Sequence, residues 1–274
     1  MPLCSAICPL PVNRIKNRLF DPDARDYILR VEAADGQRLE SQVRGAINAF
    51  ILGCKADGIW TSLVTSCIMA GARTVAGAIT PLVGNAPTNN NFVAGDYSRT
   101  LGLLGDDSNK YLTTGYNNND TTNFPQNDSH ISCYVSATQT DASGVFVGTQ
   151  STIGNILTLA YSSTTQIFFR NRIGSSRLFS AAPLGLQAST RNNSANFSSR
   201  ATQSGGNISD VTTTAASGTP SSQLIGVFCG FSGTTATQFS AARMSFYSIG
   251  KSLSIANLDT RVTTLMTTLA SVIV

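Results

Sequence analysis

Few residues in this chain are of a type that does chemistry. The only histidine, His130, lies in the run Asp128-Ser129-His130-Ile131-Ser132-Cys133-Tyr134-Val135. A serine hydrolase needs such an imidazole beside a nucleophile on a strained elbow, and no G-x-S-x-G segment supplies one. His130 sits at a strand start after a polar loop, which fits a solvated or cross-strand-paired side chain better than a general base. Glycoside hydrolysis needs two carboxylates roughly 5–9.5 Å apart. Beyond position 60 the acids are Asp96, Asp106, Asp107, Asp120, Asp128, Asp141, Asp210 and Asp259, set mainly in turns. No strand carries two or three of them on one face, so the expectation is a protein that is not an enzyme.

Metal chemistry is equally thin. Asp106, Asp107, Asn109 and Asp120 offer oxygen ligands that could gather calcium at a rim. EF-hand spacing is absent, however, and Asp-Asp-Ser-Asn is also what a plain turn requires. Cys4 and Cys8 could form a bridge or half of a metal site. Cys54, Cys67, Cys133 and Cys229 are scattered without C-x-x-C spacing or histidine partners, which predicts buried free thiols. No cofactor is expected.

The elements that would position any site belong to one large core, since 274 residues with 42% hydrophobic content can bury one. Charged residues are only 12% of the chain, about half the usual ~25%, and Ser, Thr, Asn and Gly take their place. The surface must therefore be polar and largely neutral. A net charge of +4, with no basic run interleaved with aromatics, gives no nucleic-acid footprint. No run approaches the ~18 apolar residues of a membrane span. Met1 to Leu10 lacks the basic start and apolar stretch of a signal peptide, so synthesis in a bacterial cytoplasm without Sec export is expected.

Pro2, Pro9 and Pro11 keep the first residues out of regular structure, and Arg14, Lys16 and Arg18 follow. Residues 1–33 read as an extended arm, either solvated or clasping a neighbouring subunit. Asp21-Pro22-Asp23 reads as a turn and Asp26–Glu32 as a short strand or docking segment. The candidate assembly interface is Arg14, Arg18, Tyr27, Ile28, Leu29 and Val31, because the apolar members need a surface to cover them. Leu39, Val43, Ala46, Ile47, Phe50 and Ile51 then recur at helical spacing, with Asp35 as cap and Gly53 as stop. Trp60 should anchor the junction between this helix and a sheet, or stack on a sugar.

Short strands separated by polar turns follow. The opening unit, Asp96 to Val135, reads as strand, tight turn, strand, long polar loop, strand. Val75–Thr80 is a further candidate strand, and residues 191–222 predict ordered strands with small side chains. Ala242–Ile249 alternates, with Met244 and Phe246 on one face and Arg243, Ser245 and Tyr247 on the other. Leu258, Val262, Leu265, Met266, Leu269 and Ile273 then mark a closing amphipathic helix.

Several segments together resemble the laminin-G-like, concanavalin-type jelly rolls of tailed-bacteriophage virion proteins. They are Gly58-Ile59-Trp60-Thr61-Ser62-Leu63, Gly102-Leu103-Leu104-Gly105 with Asn109–Gly115, Asp128–Val135, and Met244–Leu253 with its Phe-Tyr-Ser-Ile-Gly-Lys-Ser-Leu ending. The resemblance covers about residues 57–274. It implies a mainly β fold, a two-sheet antiparallel jelly-roll sandwich, carrying an N-terminal arm plus helix and a C-terminal helix. The division expected is an arm and amphipathic helix for docking, residues 1–56, and the jelly roll with its last helix, residues 57–274. The function expected is a non-enzymatic virion structural protein, decorating the capsid or forming part of the neck or tail. Its partners would be other virion proteins and further copies of itself. The alternative is a carbohydrate-binding module that reads host surface glycans with its loop tips.

Overall fold

A computed structural model describes residues 20–137, 143–150, 156–163, 165–174, 176–180, 182–203 and 205–273. Helix α1 spans Pro22–Asp35. Asp21 caps it, accepting from Asp23 N at 2.9 Å, Pro22 occupies its first turn, and Gly36 ends it at φ 65°. Asp26–Glu32 is thus helix, correcting the reading of a strand or docking segment. Ala24, Tyr27, Ile28 and Val31 recur at three- and four-residue spacing and line its buried side.

Helix α2 spans Ser41–Ala56, with Val43, Ala46, Ile47, Phe50 and Ile51 buried as their spacing predicts. It runs through Gly53 rather than stopping there. A Cβ on Gly53 would lie 2.8 Å from the Arg261 side chain, so this glycine serves close approach. Asp35 does not cap α2 either. Its carboxylate accepts from Arg73 N (2.7 Å), Thr74 N (2.9 Å) and Thr74 Oγ1 (2.8 Å), fixing the start of a short helix, α3, at Val75–Ala78. This replaces the strand expected over Val75–Thr80.

Around α3 the chain forms β1 (Leu63–Ile68), β2 (Pro81–Val83), β3 (Thr88–Asn90), β4 (Tyr97–Ser98), β5 (Gly102–Leu104), β6 (Tyr111–Asn117) and β7 (Ser129–Ala137). Next come β8 (Gly144–Gly148), β9 (Ile156–Ser163), β10 (Gln166–Ile173), β11 (Arg177–Ser180), β12 (Pro183–Arg191), β13 (Asn196–Gln203) and β14 (Ile208–Thr214). The series closes with β15 (Leu224–Val227), β16 (Gly230–Ser232), β17 (Thr235–Thr237), β18 (Arg243–Gly250) and α4 (Ile255–Val272). Residues 191–222 do carry strands, as their composition predicts.

The protein is mainly β, a two-sheet antiparallel jelly-roll sandwich with a few helices. One sheet runs β14-β13-β12-β7-β18-β1-β2, with β5 also on β18 and β4 on β5; the other runs β11-β10-β9-β8-β15-β6-β3. Ile131, Cys133, Val135, Met244, Tyr247 and Ile249 fill the core between the sheets. The outer face of the first sheet is covered by α1, α2 and α4, and this second core holds Leu186, Ala188 and Phe246 together with the helix stripes. Trp60, in a single turn between α2 and β1, packs against it.

Met244 and Phe246 therefore lie on opposite faces, contrary to the alternation read from sequence. Register shifts between Met244 and Phe246, where they pair with Val135 and Tyr134 of β7. A bulge at Ser245 inserts one residue and reverses the alternation. Phe246 consequently meets Phe50 of α2 edge-on, ring centroids 6.0 Å apart. Phe246→Ala should destabilise the protein by about 3–5 kcal/mol in urea unfolding. Leu29→Ala, on the exposed side of α1, should stay within ~0.5 kcal/mol.

Candidate functional site

The expected interface residues are not brought together. Arg14 and Arg18 lie outside the described residues. Tyr27, Ile28 and Val31 are buried in the helical core, because α1 turns their side against α2 and the first sheet. Leu29 alone points away, 51% exposed.

The Asp106 turn is occupied by its own backbone. Asp106 Oδ1 accepts from Ser108 N (3.0 Å), Asn109 N (2.9 Å) and Lys110 N (3.0 Å). Burial pushes this carboxyl up, but those bonds and the Lys110 charge outweigh it and hold it below the usual carboxylate range. Among the described residues no group of three or more His, Cys, Asp or Glu is placed to hold a metal. Cys54, Cys67, Cys133 and Cys229 are buried free thiols, as expected from their scatter.

His130 is fully buried rather than solvated. Its Nδ1 donates to the Lys251 carbonyl at 2.6 Å, which leaves Nε2 to accept from Ser248 Oγ at 2.9 Å. Ser132 Oγ is a further 2.7 Å from Ser248 Oγ. A serine hydroxyl on an imidazole is the first half of a nucleophilic dyad. Here His130, Ser132 and Ser248 are all fully buried, so the pair braces β7 against β18.

Two residues that sequence reading passed over organise one end of the sandwich. Arg172 and Arg191 are fully buried. Asn171, Arg172 and Ile173 are all buried in succession because β10 is bulged there and Arg172 takes the left-handed backbone, φ 60°. Arg172 donates to the Asn118 carbonyl (2.7 Å), the Asn118 side-chain oxygen and the Phe124 carbonyl (2.6 Å). Arg191 donates to the carbonyls of Asn171 (3.0 Å), Asn193 (3.1 Å) and Ala215 (3.0 Å). Burial, then the neighbouring Arg191 charge, pushes the Arg172 guanidinium down to about 10. The sequence signal was an arginine near the end of each of two strands, β10 running into Gly174-Ser175-Ser176 and β12 into Asn192-Asn193-Ser194.

Apart from Asn171, which lies in β10, these carbonyls belong to the loops after β6, β12 and β14, so two cations pin the rim. Asp128 adds a tie, accepting from Ser252 N (2.7 Å) and Ser252 Oγ (2.6 Å) at the entry to α4. Beside the pinned loops lies a cleft of about 330 Å³, lined by Thr190, Asn192, Asn196, Ser198 and the Ser252–Ser254 junction. Its lining carries hydroxyls and amides and no charged group. Asn192 and Asn196 each use their side-chain oxygen to accept from Asn193 Nδ2. Their own amide nitrogens have no protein partner among the described residues.

A larger hollow of about 530 Å³ sits near α3, floored by Val75, Ile79 and Phe92 and rimmed by Arg73, Tyr97 and Arg99. Its rim is already committed. Both arginines pair with Glu40 at 2.9 and 2.8 Å, and Tyr97 donates to the Ala72 carbonyl. The polar cleft is therefore the better candidate for binding a hydroxylated ligand.

No family model and no curated protein matches this chain. Solved structures do. A mutant of NanB sialidase from Streptococcus pneumoniae is 9% identical over 50% of this chain and 24% of its own, TM-score 0.34. Domains LG4-5 of the mouse laminin alpha1 chain are 12% identical over 62% of this chain and 44% of theirs, TM-score 0.35. The CBM40 of Ruminococcus gnavus IT-sialidase is 12% identical over 59% of this chain and 96% of its own, TM-score 0.35. This chain thus spans about a quarter of the sialidase it matches.

Burial pushes His130 down to about 4 from its ordinary 6.5. The unfolded chain therefore takes up the proton first, and stability present above pH 6.5 is lost as pH falls towards 4, by up to about 3 kcal/mol. His130→Asn should be less stable than the parent at pH 7 and lose less on acidification, measured as urea midpoints across that window.

Proposed function

We propose that the protein is a non-catalytic recognition module that binds neutral glycans in the rim cleft. The observation that carries this reading is the uncharged lining, in which the Asn192 and Asn196 amide nitrogens have no partner among the described residues while two buried arginines fix the loops around them. Such groups match the alternating donors and acceptors of a sugar, and a preset rim lowers the ordering cost of binding. Neither charge nor a metal is required. A glycan array with the isolated protein should give binding to uncharged sugars that survives raised salt. Ser198→Phe should fill the cleft and abolish it at unchanged thermal stability. An array without binding, or binding unaffected by Ser198→Phe, would refute the reading.

A second reading places the module in a tailed-phage virion, decorating the capsid or built into the neck or tail. The division into a docking part, residues 1–56, and a jelly roll, residues 57–274, belongs to this reading. It is favoured by segregated charge: Arg14, Lys16 and Arg18, with no acid among residues 1–19, supply three of the four units of net positive charge. Such a segment suits an acidic patch on a neighbouring virion protein. Removing residues 1–33 would strip Ala24, Tyr27, Ile28 and Val31 from the core. The informative truncation therefore begins at Phe20. It should fold and fail to enter particles; normal incorporation would sink this reading.

A further inference from the structure

The two ends of the first sheet are finished differently. At one end β2 has three residues, one of them Pro81, and Arg30 donates to the Pro81 carbonyl at 2.5 Å and the Leu82 carbonyl at 3.4 Å. A short strand, a proline and a capping cation are the usual ways of closing an edge. At the other end β14 has seven residues, Ile-Ser-Asp-Val-Thr-Thr-Thr, without proline or lysine. The second sheet ends in strands of four and three residues, β11 and β3. Only β14 is a long open edge among the described residues.

Its free groups can be assigned. Gln203 N donates to the Asn207 carbonyl and Ala215 N to the Ala195 carbonyl, each at 2.9 Å, bracketing the β13–β14 hairpin. With Asn196 opposite Thr214 and Thr202 opposite Ile208, the parity follows. Ser209, Val211 and Thr213 turn their N–H and C=O groups to β13, and Ile208, Asp210, Thr212 and Thr214 turn theirs outward. No hydrogen bond reaches these outward groups from the described residues. Past Ala215 the chain leaves across the rim, where Ser217 N and Gly218 N bond to the Ser194 and Arg172 carbonyls, so it does not fold back along the edge.

We propose that β14 pairs antiparallel with β14 of a second copy, joining two first sheets across a two-fold axis. The strand is complementary to itself. A register centred on Val211 engages all four outward residues, setting Ile208 opposite Thr214 and Asp210 opposite Thr212 of the other copy. The register two residues shorter would put Asp210 against Asp210. The strand's one charge is held at home, since Arg200 bonds both Asp210 oxygens (2.8 and 2.6 Å) and also Asp259 of α4 (2.8 Å). Ile208, 51% exposed, gains a neighbour on pairing. Because the opposite edge is closed, association stops at two instead of running on as a filament.

The test is sedimentation equilibrium of the whole protein with three variants at one position. Thr212→Pro removes an outward N–H and leaves the pairing with β13 intact. It should weaken the dimer by about tenfold or more. Thr212→Glu faces Asp210 of the partner and should weaken it too, whereas Thr212→Lys should tighten it. Both charged side chains point to solvent in the monomer, so they decide the matter if the proline variant does not fold. A parent protein that stays monomeric at its solubility limit overturns the proposal. So does a dimer on which Thr212→Glu and Thr212→Lys act alike.

Discussion

The centre of the first sheet, from β12 through β7 and β18 to β1, is buried on both faces, and most of the structure follows from that. A strand in such a sheet has no solvent side on which to hide a mismatch. β18 is buried along nearly its whole length, so Met244, Phe246, Tyr247 and Ile249 must each find an apolar layer. Strict alternation cannot deliver Met244 and Tyr247 to the sandwich and Phe246 to the helices. The bulge at Ser245 does so at the cost of one irregular step in the ladder. The same crowding explains Gly102, where a Cβ would sit 2.1 Å from the Met244 carbonyl and φ is +84°.

At the rim the constraint is reversed. The loops after β6, β12 and β14 have no ladder to order them, and the protein orders them with buried cations. A guanidinium offers five N–H groups in a rigid fork and keeps its charge under almost any condition. Burying it without a carboxylate is costly unless carbonyl dipoles surround it. Arg172 and Arg191 meet that condition with carbonyls from Asn118, Phe124, Asn171, Asn193 and Ala215. The outcome is a charged interior beneath an uncharged surface, which keeps the cleft lining neutral.

Fold class was legible in the sequence because its signals are local: the stripe from Leu39 to Ile51, the closing stripe from Leu258, and the short strands separated by polar turns between them. What escaped was decided by packing at a distance. Asp21-Pro22 carried a helix start that also looks like a turn, and Ile28-Leu29-Val31 mimics a strand until Ala24 and Tyr27 are counted with it. Asp35 found its use 38 residues away at Arg73. No pattern around Ser245 announces an extra residue, since a bulge depends on the strand opposite. The rim escaped for a different reason: a search for carboxylates, histidines and nucleophiles does not look for arginines bound only to carbonyls. Asn192 and Asn196 were visible only as members of the small, polar stretch 191–222.

The helical layer has one more consequence, for the order of synthesis. Gly53 of α2 receives the Arg261 side chain of α4, and Arg261 grips Asp57 across a separation of 204 residues. Until α4 leaves the ribosome, the part of the helical layer that its stripe completes stays open beside α2, and Phe246 has no finished cover. The nascent protein thus carries an open hydrophobic flank through the making of nearly every strand. The neutral, Ser- and Thr-rich outer surface does nothing to shield that flank, so chaperone contact should concentrate on this half-built layer and end abruptly when the last helix docks.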